Sequence, residues 1–153
     1  ELHRYLRAAL PAADDSLSTI GQQAELLRAR LAIEAIRLDG RLATRIEVQA
    51  ALASRPLAPM LLLPLATNAV RHGIEPSGGG EIVVRAGDRR GSIYIEVADS
   101  GAGCAADIRD GVGLGALRKR LSTLYGEHAS LVFADRQPRG LTARIEIDAG
   151  ALA

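Results

Sequence analysis

Residues 81–98, EIVVRAGDRRGSIYIEVA, decide the fold of this chain. Two apolar-rich segments flank a short polar turn at 88–90, and in the second segment Ile93, Ile95 and Val97 alternate with more polar residues. A period of two is typical of a strand that buries one face. The stretch therefore predicts an antiparallel hairpin, around which the rest of the chain must be placed.

The sequence on either side of the hairpin predicts helices and further strands. Helices are expected at 20–38, 57–72 and about 113–125, and strands at 43–50, 81–87, 91–98, 130–134 and 141–147. Thr19, with Gln22 three residues later, fits a capping box that starts the first helix. Pro64 conflicts with the interior of the second helix, Gly73 is expected to end it, and EPSGGG (75–80) is typical of a loop. The grouped strands favour an α+β two-layer sandwich, with helices on one face of a mixed, mostly antiparallel sheet.

Apolar spacing predicts which side of two helices is buried. The first helix carries Ile20, Leu27, Leu31 and Leu38 on one stripe, with Gln23, Arg30, Glu34 and Arg37 off it, and the last helix carries Leu114, Leu117, Leu121 and Leu124. We expect both stripes to face the core.

The composition excludes several classes of function. Of 153 residues, 48% are hydrophobic and 24% are charged, which suits one compact domain. The 19 basic residues nearly balance the 18 acidic ones, so the chain lacks the basic field of nucleic-acid-binding proteins. Three tyrosines and one phenylalanine are too few for a base-stacking platform. No nucleic-acid partner is therefore expected.

Cysteine and membrane signals bound the cellular setting. Cys104 is the single cysteine, which excludes an intrachain disulfide and fits a reducing, cytoplasmic compartment. The longest apolar run, Met60 to Leu65, is far shorter than the roughly 20 residues of a membrane span, so no membrane contact is expected. Because the chain starts at Glu1 and its single Met is internal, we expect a fragment whose parent protein is membrane-anchored, if at all, by segments outside it.

The first of three unusual polar clusters is NAVRH, residues 68–72. Asn68, Arg71 and His72 fall within about one helical turn, so they can address one patch. An Asn amide oxygen is a suitable ligand for Mg²⁺, and Arg or His can meet phosphate oxygens. The alternative is a helix end whose Asn and His bond to nearby backbone.

The second and third clusters are glycine-rich. Asp99 stands at a predicted strand end in DSGAG (99–103), where its carboxylate can accept a hydrogen bond from an exocyclic amine such as that of adenine, and the glycines let a flat ring approach the backbone. GVGLG (111–115) opens a helix that carries a basic run at 118–120, and a helix start favours anions. The alternatives are an ordinary Asp-Gly turn and a flexible loop with a helix cap. Taken in order, the three clusters predict a nucleotide pocket.

These motifs resemble the GHKL ATP-binding superfamily, and within it the catalytic domain of LytS/AlgZ-type sensor histidine kinases. The resemblance covers about residues 19–147 and is carried by LLRARLAIEAIRLDGRLATRIEV, LLLPLATNAVRHGI, VADSGAG and GVGLGALRKRLSTLYG. It implies a Bergerat fold with ATP and Mg²⁺ held between a helical layer and a lid. It also implies phosphoryl transfer to a histidine outside this chain, on the protein's own dimerisation and phosphoacceptor domain, in a homodimer that serves a response regulator.

The resemblance assigns roles residue by residue. Asn68 is the implied Mg²⁺ ligand, Arg71 and His72 face phosphates, and Asp99 binds the adenine amine. The other residues expected to frame the nucleotide are Gly101, Gly103, Gly111, Gly113, Leu114, Gly115 and Thr142, and the last of these supports Asp99 or adenine. The resemblance also implies that residues 1–13 are the tail of the dimerisation helices and that residues 14–153 are the ATP-binding domain.

Two departures from the family pattern bear on catalysis. Relatives usually carry Glu at the position of Thr67, and Pro64 replaces the helical carboxylate that other GHKL enzymes use as a base. The segment between the glycine motifs, Cys104 to Asp110, is also short for a lid. No general base can be named, and two other functions stay open. One is a degenerate, non-catalytic module for nucleotide sensing or signal relay, and the other is a serine kinase of the anti-sigma-factor type.

Overall fold

One five-stranded sheet organises the part of the chain that the structure describes, residues 18–101 and 112–152 of a computed structural model. The helices are α1 (Ile20–Arg37), α2 (Leu63–Asn68), α3 (Glu75–Ser77) and α4 (Val112–Tyr125), and the strands are β1 (Leu42–Val48), β2 (Gly80–Arg89), β3 (Ser92–Asp99), β4 (Ala129–Asp135) and β5 (Leu141–Asp148). A π-helical segment, Ala69–Ile74, joins α2 to α3, and we call residues 63–77 the composite helix. The predicted α+β class is confirmed.

The sheet has the strand order β1-β2-β3-β5-β4. β1 pairs with β2 in parallel, and the three other pairings are antiparallel, so the sheet is mixed and mostly antiparallel as predicted. The hairpin expected at 81–98 is formed by β2 and β3, with Val84 opposite Val97. Because side chains alternate between the two faces of a sheet, every second residue of a strand faces the helices.

The core lies between the helices and one face of the sheet, and it is aliphatic. The three central strands contribute alternate residues to it, namely Ile82, Val84, Ala86, Ile93, Ile95, Val97, Ala143, Ile145 and Ile147, and the two outer strands contribute Leu42 and Leu131. Helix α4 contributes Leu114, Leu117 and Leu121, but Leu124, expected on the same stripe, is 45% exposed. Tyr125 packs against the core instead, and its hydroxyl accepts a hydrogen bond from the Ala58 amide at 3.0 Å.

Helix α1 confirms the predicted capping box, since the Thr19 hydroxyl accepts from the Gln22 amide and the Gln22 side chain accepts from the Thr19 amide. Two residues off its apolar stripe are nevertheless buried. The Gln23 side chain donates to the Ala58 carbonyl at 2.6 Å and accepts from the amides of Leu61 and Leu62 at 3.2 and 3.3 Å. Glu34 is buried between two arginines of its own helix.

The composite helix differs from the helix expected at 57–72. It starts at Leu63, so that Pro64 falls in its first turn, where a missing amide proton removes no helical hydrogen bond. It continues past Gly73 to Ser77 and ends at Gly78, which adopts the left-handed conformation with φ of 78°. Gly73 is therefore not a helix end, and the first part of the tract expected as a loop is helical.

The predicted dimerisation-helix tail at 1–13 and the short lid segment 104–110 lie outside the described residues. Within the described part, none of the helices combines the length and the apolarity that a bilayer span requires.

Candidate functional site

Asp99, the last residue of β3, is the most unusual polar group near the helical layer because it is 3% exposed. One carboxylate oxygen, Oδ1, accepts a hydrogen bond from the Gly101 amide at 2.9 Å, and the Leu141 amide also bonds to the carboxylate. Burial raises the pKa of Asp99, while the two amides and the charge of Arg136 oppose that rise. A buried carboxylate with acceptor capacity left over is suited to a ligand that donates hydrogen bonds.

Three glycines surround this carboxylate, and each is required by a close approach. A Cβ on Gly73 would lie 2.5 Å from both Cγ and Oδ1 of Asp99. A Cβ on Gly101 would overlap the Gly73 carbonyl oxygen, and one on Gly140, whose φ is 118°, would overlap the Asp99 carbonyl oxygen. The helix, the strand end and the β4–β5 connection therefore meet at Asp99 without side chains between them.

Polar contacts fix the turn that follows Asp99. The Ser100 hydroxyl accepts from the Glu81 amide at 2.8 Å, and the Ser100 amide donates to the Glu81 carbonyl at 3.0 Å. Arg139 donates through Nε to the Gly101 carbonyl at 2.9 Å and through Nη2 to the Ser77 hydroxyl at 3.0 Å. The turn is thus tied both to β2 and to the end of the composite helix.

The π-helical segment positions Asn68 relative to Asp99. In a π-helix hydrogen bonds join residues i and i+5, so Asn68 and Gly73 lie about one turn apart on one side of the helix. Gly73 contacts Asp99, which places Asn68 along the same side of the helix as the carboxylate. Half-buried His72 lies four residues after Asn68. Single π-helical turns are frequent at functional sites.

Arg71 and Thr67 face in another direction. Both line a cleft of about 220 Å³ between α1 and the composite helix, together with Arg30, Glu34 and Arg37. Asn68 and His72 do not line that cleft. The expected single patch of Asn68, Arg71 and His72 is therefore divided, with exposed Arg71 at the α1 side of the helix.

The glycine motif at 111–115 is described only in part. Gly113 and Gly115 lie in the first turn of α4, and Leu114 is a core residue at 2% exposure. Gly103 and Gly111 lie outside the described residues. In the basic run of α4, Arg118 donates to the Leu131 carbonyl at 3.3 Å and lies 5.8 Å from the centre of the Phe133 ring, so its guanidinium is directed to strand β4.

The Thr142 side chain does not lie beside the Asp99 carboxylate. The register pairs Thr142 with Ala98 and Leu141 with Asp99. Because neighbouring residues of a strand point to opposite faces, the Thr142 side chain lies on the sheet face away from the helices, whereas Asp99 and Leu141 lie on the helical side. The expected support of Asp99 by Thr142 does not match this register, and Leu141 holds the adjacent position.

Sequence reasoning missed three residues of this group, namely Gly73, Arg139 and Gly140. Gly73 was expected as a helix end, although its position directly after His72 allowed a packing role. Gly140 precedes a strand at a place where a turn glycine is ordinary, and nothing in the sequence indicated that Arg139 reaches back to residues 77 and 101. These contacts arise from the strand order, which the sequence pattern did not reveal.

The chain is similar in sequence to sensor proteins, including a sensor histidine kinase. It is 23% identical to the sensor protein LytS of Enterococcus faecalis over 96% of its length and 27% identical to the sensor histidine kinase YesM of Bacillus subtilis over 84%. It spans about a quarter of the length of these relatives, 27% and 23%. No protein-family model matches the chain.

Solved structures of histidine kinases contain a domain with the same fold as this chain. The catalytic domain of the histidine kinase ThkA matches with a TM-score of 0.68 at 15% identity, covering 86% of this chain and 94% of that domain. Full-length ShkA in complex with AMPPNP matches at 0.62, with 24% identity over 96% of this chain and 34% of ShkA. ThkA in complex with the response regulator TrrA matches at 0.66, with 15% identity over 88% of this chain and 41% of that chain.

Proposed function

Since this chain is a homologue of LytS and other sensor histidine kinases and has the fold of their catalytic domains, we propose that it binds Mg²⁺-ATP and presents the γ-phosphate to a histidine of the longer protein. One observation carries the proposal: a buried carboxylate, Asp99, lies at a strand end among three glycines whose Cβ positions are already occupied by backbone or carboxylate atoms.

The surroundings of Asp99 fit an adenine ring. The carboxylate keeps acceptor capacity after bonding to the amides of Gly101 and Leu141, and the exocyclic amine of adenine is a donor. Gly73 and Gly101 present backbone rather than side chains at this point, so a flat ring can approach closely. Guanine carries a carbonyl in place of that amine, so the same carboxylate disfavours it.

The phosphate and metal side is proposed for the composite helix and the start of α4. Among the residues that the structure describes, no three His, Cys, Asp or Glu side chains cluster so as to hold a metal. A Mg²⁺ ion is commonly held by one or two protein ligands plus substrate phosphates, and Asn68 offers such an oxygen. His72 beside it and the first turn of α4 at Gly113 and Gly115 are the groups proposed for the phosphates, whereas Arg71 lines the cleft toward α1.

The chemistry asked of this chain is positioning and charge neutralisation. When bound, Mg²⁺-ATP supplies the phosphoryl group and the metal charge that offsets its transfer. Phosphoryl transfer requires little covalent chemistry from the protein, so Thr67 and Pro64 in place of carboxylates are compatible with it. The proposed acceptor is a histidine on the dimerisation domain of the longer protein. A response regulator is the proposed partner, and the structurally similar ThkA is seen in complex with the response regulator TrrA.

Nucleotide binding is tested by calorimetry with Mg²⁺-ADP on the 153-residue chain. Asp99→Asn is expected to weaken binding roughly 10- to 100-fold, the equivalent of one charge-assisted hydrogen bond of ~1.5–3 kcal/mol. Asp88→Asn, the same change at an exposed position of β2, is the matched control and should bind like the wild type. A wild-type chain that fails to bind at millimolar ADP, or an Asp99→Asn variant that binds equally well, would contradict the proposal.

Thr67 favours one competing function, a relay module that binds nucleotide without transferring phosphate. A transfer assay with labelled ATP on the longer protein, which contains the acceptor histidine, distinguishes the kinase from the relay module. Label on that histidine supports the kinase, whereas binding without any label supports the relay. The 153-residue chain alone is expected to stay unlabelled.

A further inference from the structure

We propose that Arg139 is a positioning residue for base recognition, an inference that rests on the proposed function. Its guanidinium joins the two segments that carry the halves of the site. Nε donates to the Gly101 carbonyl at 2.9 Å, in the turn that holds Asp99, and Nη2 donates to the Ser77 hydroxyl at 3.0 Å, at the end of the composite helix that carries Asn68.

Arg139 acts on Asp99 through the Gly101 residue. The Gly101 amide fixes Oδ1 of Asp99, and Arg139 holds the carbonyl of that same residue, so both polar groups of Gly101 are constrained. The orientation of the Asp99 carboxylate thereby depends on a contact made by the connection between β4 and β5. Small displacements of such a carboxylate are costly for recognition because a hydrogen bond weakens steeply with angle.

The Ser77 contact controls the distance between helix and turn. Ser77 lies four residues after Gly73, the glycine that packs directly on Asp99. Holding Ser77 and Gly101 on one planar guanidinium therefore fixes the helix against the turn at the point where they touch. A lysine at this position keeps the charge but lacks the fork, so it cannot reproduce the two-directional contact.

The location of Arg139 separates this role from a general packing role. The residue is exposed, so its removal leaves no buried cavity. Its Nε and Nη2 donate to a backbone carbonyl and a hydroxyl of the protein, so the guanidinium is held by the turn and the composite helix. Loss of Arg139 should thus affect discrimination of the base and spare the binding of the phosphate chain.

The experiment measures the ratio of the dissociation constants for GDP and ADP in the presence of Mg²⁺. Arg139→Ala should weaken ADP binding about tenfold, leave GDP binding unchanged, and lower the ratio by that same factor. Arg139→Lys should resemble Arg139→Ala because the fork, not the charge, carries the effect. Ser77→Ala removes one of the two contacts and should lower the ratio about threefold.

The control is Arg55→Ala, which removes an arginine contact to the Ala149 carbonyl at 2.9 Å, next to the end of the β3–β5 pairing opposite Asp99. It should leave the nucleotide ratio unchanged. If the wild-type chain does not bind ADP more tightly than GDP, the proposed function is overturned. If it does, but Arg139→Ala leaves the ratio unchanged or Arg139→Lys keeps the full wild-type ratio, the inference alone is overturned. If Arg139→Ala fails to fold, Ser77→Ala and Arg139→Lys decide the matter.

Discussion

Gly73→Ala adds one methyl group at the closest approach between the composite helix and Asp99. The new Cβ would lie 2.5 Å from the carboxyl carbon and from Oδ1, whereas ordinary contact begins at 3.4 Å, so one of the two must move by about 0.9 Å. Asp99 has little room to retreat, because the amides of Gly101 and Leu141 hold its carboxylate. The expected result is a displaced carboxylate in an otherwise folded protein.

The magnitude has two opposing parts. Overpacking of this kind costs ~1–3 kcal/mol, while alanine in a helix is favoured over glycine by ~0.8–1 kcal/mol. The net loss is about 1 kcal/mol, which for a domain of roughly 150 residues lowers the melting temperature by about 2–4 °C. The affinity for ADP should fall much further, roughly 10- to 100-fold, because a hydrogen bond to a charged group is worth ~1.5–3 kcal/mol.

Thermal melts and calorimetry on the same preparations separate the two effects. Gly150→Ala is the matched control, since a Cβ there meets nothing within 4 Å and the backbone is not left-handed. It should leave both the melting temperature and the ADP affinity unchanged. Wild-type ADP affinity in Gly73→Ala would refute the role assigned to the Asp99 carboxylate, even if the melting temperature fell as expected.

Two further predictions concern buried polar groups. Gln23→Ala should lower the free energy of unfolding by about 2–4 kcal/mol in denaturant melts, because the amides of Leu61 and Leu62 and the Ala58 carbonyl lose their hydrogen-bond partner. The control is Gln49→Ala at an exposed position, and equal stability of the two variants would contradict the role of Gln23 in bonding to this backbone. The pKa of Asp99 lies above its ordinary 3.8 through burial, so ADP affinity should fall as the pH drops through that raised value. Because the pKa of Asp99 is higher in the folded chain than in the unfolded chain, the melting temperature of the unliganded chain should fall as the pH rises through the folded-state pKa. Asp99→Asn should remove this pH dependence.

The sequence predicted the elements better than their connections. Alternation in β2 and β3 and the leucine stripe of α4 located the sheet and its helical cover, because both patterns follow directly from burial on one face. Pro64 was recognised as a conflict, and the structure resolves it by starting the helix at Leu63. The prediction for Leu124 was wrong because Tyr125, four residues after Leu121, takes the core position at the end of the helix.

The candidate site was predicted only where its residues cluster in sequence. Asp99 and Gly101 carry their own local signal as an acidic residue in a glycine-rich turn. Gly73 and Gly140 approach Asp99 from 26 and 41 residues away, as their residue numbers show, and their roles exist only through the strand order and the π-helical segment. The role expected for Thr142 could not be predicted for a similar reason. A shift of one residue in strand register moves a side chain to the other face of the sheet, and the register is known only from the structure.

The pairing of β3 with β5 also has a consequence for folding kinetics. Two antiparallel hairpins, β2–β3 and β4–β5, form from neighbouring sequence, whereas β3 and β5 join residues 42 to 56 positions apart. Long-range strand pairs form more slowly than local ones, so docking of the two hairpins carries a larger entropy cost of loop closure than formation of either hairpin. Because Asp99 and Leu141 form one end of that ladder, a ligand held there stabilises only molecules in which docking is complete, and it slows the separation of the hairpins during unfolding.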